Sequence, residues 1–201
     1  MCANVIKDNV RIPTAAGALT TGVSLLNGGV QPVAHVHSRE CSVVRHKVRM
    51  NNLQITMDAA PGGAADGRGQ KLITLPAGKW LVLAVDADFT VTTPAGASIA
   101  TAVWALGTAL ATADNAALTS TEANVLASTT LGDGTLAAGA AESETGVQLG
   151  TGSAPALVGG TSATDIYFNI GGTTTHASDT APEIAIDGTI ELVLIDLGGI
   201  A

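Results

Sequence analysis

Glu183-Ile184-Ala185-Ile186-Asp187-Gly188-Thr189-Ile190-Glu191-Leu192-Val193-Leu194-Ile195-Asp196-Leu197-Gly198-Gly199 runs almost to the end of a 201-residue chain and decides how the rest is read. Asp187-Gly188 between two apolar runs predicts a hairpin, because both central positions of a type I′ turn need positive φ and Asp and Gly tolerate it. In the second strand of that hairpin Ile190, Leu192 and Leu194 share one face, and Val193, Ile195 and Leu197 the other. A half-exposed antiparallel strand alternates with polar residues. This one is apolar on both sides, so it calls for two covers: its own core and something else.

Composition extends the same reading. Apolar residues make up 46% of the chain, aromatics 2% and charged residues 13%, so the core must be built from Ala, Val, Leu and Ile. With 24 glycines and abundant Ala and Thr, strands and turns are favoured over long helices. An all-β fold is expected, in a chain long enough to bury a core without staples.

Charge divides the chain in two. All nine Lys and Arg lie before residue 81 against four acids there, leaving +5; the remaining 13 acids follow with no Lys or Arg, leaving −13, for the total of −8. Such asymmetry suggests a basic arm that seeks an acidic surface and an acidic body that stays solvated. Cys2 and Cys41 form neither a disulfide framework nor a metal-type pair. The first residues lack the long apolar segment of a secretory signal. The uncharged stretch from Phe89 to Ala113 is long enough to cross a bilayer, but Pro94, Gly96, Gly107 and many threonines argue against a span. A soluble protein made in a cytoplasm is expected.

Along the chain, residues 23–33 read as a hairpin around Asn27-Gly28-Gly29, with Pro32 marking an edge strand. Residues 41–50 and 53–57 read as two further strands, and Pro61 to Gly69 as a mobile loop. Leu72 to Leu75 turns at Pro76-Ala77-Gly78 into a strand reaching Val91. Strict alternation places Leu81, Leu83, Val85, Ala87, Phe89 and Val91 on one face of it, with Trp80, Val82, Ala84, Asp86, Asp88 and Thr90 on the other. Ser98 to Leu106 alternates Ile99, Thr101, Val103 and Ala105 against Ala100, Ala102, Trp104 and Leu106. Residues 112–127 are expected to form a loop with at most one helical turn, followed by a short strand at 124–128. Residues 137–163 look like a long surface excursion. A strand from Thr164 to Ile170, with Ile166, Phe168 and Ile170 on one face, precedes a Gly171-Gly172 loop. Regular strand and turn spacing of this kind suggests a sandwich or barrel.

Candidate chemistry is sparse. His35 and His37 share a face if extended, and Cys41 or His46 would be a third metal ligand, but a zinc site needs three or four convergent ligands. The competing reading, a polar loop between strands, is preferred, so no metal and no cofactor is expected. Asp86 with Asp88 and Glu142 with Glu144 are paired carboxylates that meet solvent in the simplest reading. No nucleophile elbow, phosphate-cradling loop or Cys-His pair is present, so no catalytic residue is assigned and an enzyme is not expected. The densest basic stretch is Arg39, Arg45, Lys47 and Arg49. The last three project to one face of a strand whose other face carries Val44 and Val48. No aromatic residue lies near to stack on bases, so nucleic acid suits the stripe less well than a carboxylate-rich protein.

Leu75-Pro76-Ala77-Gly78 leading into an apolar strand, Trp104-Ala105-Leu106-Gly107-Thr108, the Leu118 to Val125 loop and Gly188 to Leu194 together resemble small β-sandwich structural proteins of tailed bacteriophages. Among these the chain is most similar to capsid decoration, or cement, proteins, over roughly residues 70–201. The resemblance implies an antiparallel, jelly-roll-like sandwich with an extended N-terminal arm, assembled as trimers or dimers, trimers being favoured, on the outside of a phage head. The expected division is a basic arm with a hairpin over 1–50 and an acidic sandwich over 51–201. The implied partners are the major capsid protein and further copies of the chain, with no nucleic acid and no membrane. Lys7, Arg11, Arg39, Arg45, Lys47 and Arg49 are the candidate capsid-binding residues; Val193, Ile195 and Leu197 are the candidate oligomer contact. A tail or fibre module that binds a receptor or carbohydrate is the alternative, against which the scarcity of aromatic rings weighs.

Overall fold

A computed structural model describes residues 6–8, 34–40, 43–57, 64–112, 116–148, 156–176 and 181–197. They form twelve strands: β1 (Ile6–Asp8), β2 (Ala34–Glu40), β3 (Val43–Thr56), β4 (Ala64–Leu75), β5 (Gly78–Thr92), β6 (Ala97–Gly107), β7 (Leu126–Thr130), β8 (Thr135–Leu136), β9 (Ala141–Gln148), β10 (Ala156–Gly160), β11 (Thr164–His176) and β12 (Glu183–Asp196). All pairings are antiparallel and fall into two sheets. The first runs β1-β2-β3-β12-β5, with β10 and β9 sharing the far edge of β5; the second runs β4-β11-β6-β7, with β8 also on β6. The chain is an all-β sandwich.

The core lies between the sheets, and aromatic rings fill its centre. Phe89 of the first sheet stands edge-on to Trp104 at 4.9 Å and to Phe168 at 5.3 Å, while Trp104 and Phe168 of the second sheet stack at 5.8 Å. These are favourable aromatic geometries. Around them pack Val48, Val85, Ile170, Ile190, Leu192 and Leu194, all fully buried.

Asp187-Gly188 does not turn the chain. β12 passes straight through it as a central strand, paired with β3 on one side and β5 on the other. The irregularity belongs to β3, where Asn51 and Asn52 stand in the ladder interval occupied by Asp187 alone. Asn52 takes φ 54° in this bulge, and its N–H donates to Asp187 Oδ1 at 2.7 Å. Gly188, at φ 137°, lies so close to the neighbouring strand that a Cβ there would sit 2.5 Å from Phe89 Cα. Asp187 is therefore a bulge cap and Gly188 a close-approach residue. The same bulge joins the two strands expected at 41–50 and 53–57 into one.

Two more bulges break the expected alternation. β5 gains a residue at Leu83, between the partners of Val193 and Leu194. Trp80 and Val82 are consequently buried along with Val85, Ala87, Phe89 and Val91, whereas Leu81 turns to the outside. In β6 Thr101 takes φ 53°, and Ile99 and Trp104 end up in the same core. The expected loop at 61–69 is strand from Ala64 onward, and Gly171-Gly172 lies inside β11. The expected excursion at 137–163 contains β9 and β10. The described residues of 112–127 hold one short 3-10 turn, Ser120–Glu122, with β7 beginning at Leu126. The hairpin expected at 23–33 lies outside the described residues, and the expected boundary at 50 and 51 falls inside β3.

Residues 108–112 and 116–125 form a strap over the outer side of the second sheet. Asn169, in the middle of β11, fixes it: its Oδ1 accepts from Ala111 N–H at 3.0 Å, and its Nδ2 donates to Ala109 O at 3.0 Å and to Glu122 O at 2.8 Å. Beneath the strap Ala105, Ala111 and Leu118 make a small second core. Gly171 leaves the space that the strap needs, since a Cβ on it would lie 2.5 Å from Ala116 O.

Candidate functional site

With one side of the second sheet strapped, the outer face of the first sheet is the broad surface on which the sequence placed its candidate residues. Its side chains come from alternate positions of β3, β12 and β5, which ladder register sorts into rows. Val43, Ile195 and Leu81 are neighbours in one row, extended by Leu157 of β10. Arg45, Val193 and Ala84 form the next. Lys47, Glu191 and Asp86 follow, then Arg49, Thr189 and Asp88. The face is thus apolar at one end and charged at the other. Its cations stand in the β3 column, Asp86 and Asp88 two strands away in the β5 column, and Asp187 and Glu191 in the β12 column between them.

The apolar end is open to solvent. Leu157 is 59% exposed and Leu197 53%, and Val43, Leu81, Val193 and Ile195 are half-buried. Exposure of Leu81 follows directly from the β5 bulge. At the charged end Arg45 Nη1 bonds Glu191 Oε1 at 2.7 Å, with the Arg side chain 53% exposed. Exposed pairs of this kind contribute about 0.2–1 kcal/mol. Lys47, Arg49, Asp86 and Asp88 make no ion pair with another described residue.

Of the six candidate basic residues, Arg45, Lys47 and Arg49 are thus brought together on the body of the sandwich. Lys7 and Arg39 occupy ladder positions opposite Ser38 and Val44, in and beside the edge strands, and Arg11 lies outside the described residues. Val193 and Ile195 do share the outer face, and Leu197 continues it, its N–H donating to Lys79 O at 2.9 Å.

Two other polar constellations tie elements of the fold together. On the second sheet Asp165 accepts from Lys71 Nζ at 2.7 Å, from Thr74 Oγ1 at 2.6 Å and from Tyr167 Oη at 3.3 Å. Burial alone would raise the Asp165 pKa, but the hydrogen bonds from Lys71 and Thr74 and the charge of Lys71 outweigh it and hold the carboxyl below its ordinary range. Burial, followed by the charge of Asp165, pushes the Tyr167 phenol up. A carboxylate so occupied is a poor proton acceptor. Asp66, fully buried, pairs with Arg68 Nε at 3.1 Å, and Arg68 also reaches Thr112 O at 2.8 Å, tying β4 to the strap.

Asp86 and Asp88 are exposed on β5, and Glu142 and Glu144 stand on β9. His37 lies opposite His46 in the β2–β3 ladder, and His46 is buried edge-on against Trp80 at 6.3 Å. Among the described residues no three His, Cys, Asp or Glu side chains are grouped to hold a metal. Both Trp and both Phe residues are buried, and Tyr167 is half-buried, so none offers the open ring on which a sugar stacks. Sequence reasoning missed Asn169, Leu81 and Leu157. The first had a signal, a lone amide at the centre of an apolar strand; the other two depend on a bulge and on strand order. Comparison with protein-family models, with curated proteins and with solved structures finds no match to this chain.

Proposed function

We propose that this chain is a non-enzymatic structural protein of a virion, a decoration protein that stabilises a phage capsid by bridging its subunits. One observation carries the reading: the outer face of the first sheet leaves an apolar row uncovered beside charges that pair with no other described residue, on a body where Asn169 and Asp165 are engaged in holding the fold. A surface of that kind supports protein contact. The resemblance in texture to cement proteins supplies the setting. Made in a host cytoplasm, the protein would act on the capsid surface, with the major capsid protein and its own copies as partners. Added buried area raises the barrier to rupture under internal genome pressure.

The test compares complete particles with particles from which the protein has been stripped. Stripped particles are expected to rupture at a lower temperature and to recover on re-addition; equal rupture temperatures would remove the reading. Imaging of labelled protein on heads rather than tails separates it from a tail or fibre adhesin.

A further inference from the structure

We propose that the outer face of the first sheet is self-complementary about a two-fold axis running along β12, so that a second copy of this chain covers the apolar row. The inference rests on reading that face as a contact surface and names its partner and symmetry.

The argument is geometric. Strands stand about 4.8 Å apart, so the β3 and β5 columns lie roughly 10 Å apart with β12 midway between them. A half-turn about an axis along β12, in the plane of the face, turns the second copy over, exchanges its β3 and β5 columns, and leaves every row at its own height. Lys47 of one copy then faces Asp86 of the other, and Arg49 faces Asp88. Val43 faces Leu81, and Ile195, on the axis, meets its own counterpart. Each contact occurs twice, as an isologous interface requires. Glu191 also meets its counterpart, but each is already neutralised by Arg45 of its own chain at 2.7 Å.

Other arrangements fail on charge or hydropathy. A half-turn about an axis across the strands through the middle of the patch sets the row of Val43, Ile195 and Leu81 against its charged end, and one through that row leaves Lys47, Arg49, Asp86 and Asp88 without facing partners. Stacking without a half-turn presents an outer face to an inner one, which the core already occupies. Only the axis along β12 matches apolar with apolar and cation with acid. Two sheets facing this way pack about 10 Å apart and within about 30° of aligned. The matched patch, β3, β12 and β5 wide and some six residues long, covers on the order of 300 Å² per copy, well under half of a standard interface. The dimer is therefore weak, with dissociation at micromolar concentrations or above.

Sedimentation equilibrium of the full chain from 5 to 500 μM tests this. A concentration-dependent approach to the dimer mass is expected, weakened at least tenfold by raising salt from about 0.05 to about 0.5 M. The double variants Lys47→Glu with Arg49→Glu and Asp86→Lys with Asp88→Lys should each remain monomeric, and an equimolar mixture should regain the dimer. All four positions are exposed, and unchanged thermal transitions of each variant confirm that it is folded. A monomeric or trimeric wild type, or a mixture of folded variants that stays monomeric, overturns the two-fold. Should either variant fail to fold, the salt response alone decides: a dimer that strengthens with salt overturns it. A wild type that is monomeric yet binds capsids sinks the two-fold and leaves the decoration role standing; a dimer that ignores capsids does the reverse.

Discussion

Asn169 makes three hydrogen bonds from a fully buried position, each to backbone of the strap that crosses the second sheet. Removing its amide leaves an N–H and two carbonyls without this partner, and an orphaned buried group costs about 1–3 kcal/mol. Asn169→Ala should therefore lose about 3 kcal/mol in denaturant unfolding, with amide exchange rising first across residues 108–112 and 116–125; uniform exchange would show that the strap is held by other contacts. Gly171→Ala should release the same strap, since its Cβ has no room beneath Ala116. Asp165 makes a pH prediction. Its folded pKa is held below the ordinary value, so the stability it contributes is present above that value and lost as pH falls through the depressed one. Wild type should lose stability in acid below the ordinary carboxylate range more steeply than Asp165→Asn. Because the site is partly exposed, the difference is small, and parallel curves would mean that the pair contributes nothing.

At the scale of the element, bulges separate what the sequence made legible from what it did not. Period-2 alternation was readable wherever a strand is regular: Ile166, Phe168 and Ile170 point into the core, and Arg45, Lys47 and Arg49 point away from it opposite Val44 and Val48. The outer placement of those three basic residues was thus available from spacing alone. Leu81 was not, because the extra residue at Leu83 is visible only when β5 is set against β12. Asp187-Gly188 shows the same limit from the other side. The pair signals backbone permissiveness, and whether that serves a turn or a long-range bulge depends on a strand more than 100 residues away. Gly188→Ala should test the second use. A Cβ at φ 137° and 2.5 Å from Phe89 Cα must push β12 away from β5, at a cost of about 2–4 kcal/mol in unfolding free energy. A hairpin turn would have relaxed outward at much lower cost.

For the whole molecule, the charge asymmetry of the sequence takes on a spatial meaning. The basic stretch and the acidic body meet on one sheet face two strands apart, since β3 and β5 flank the same central strand. That arrangement could not be read from the chain, because it depends on strand order, and order joins residues near 45 to residues near 190. It also gives one substitution two different consequences. Val193 lies opposite Arg45 in the ladder, so in Val193→Asp the new carboxylate finds a cation in its own chain. The monomer should keep its fold, with unfolding free energy changed by about 1 kcal/mol or less. Across the two-fold the same residue approaches its own counterpart, where two desolvated carboxylates repel and the Arg45 of each chain, shared with Glu191, is too little to neutralise both. Sedimentation should therefore find Val193→Asp monomeric at concentrations where wild type dimerises, with a thermal transition close to wild type. If the variant instead unfolds outright, the outer face of β12 belongs to the core of a single chain.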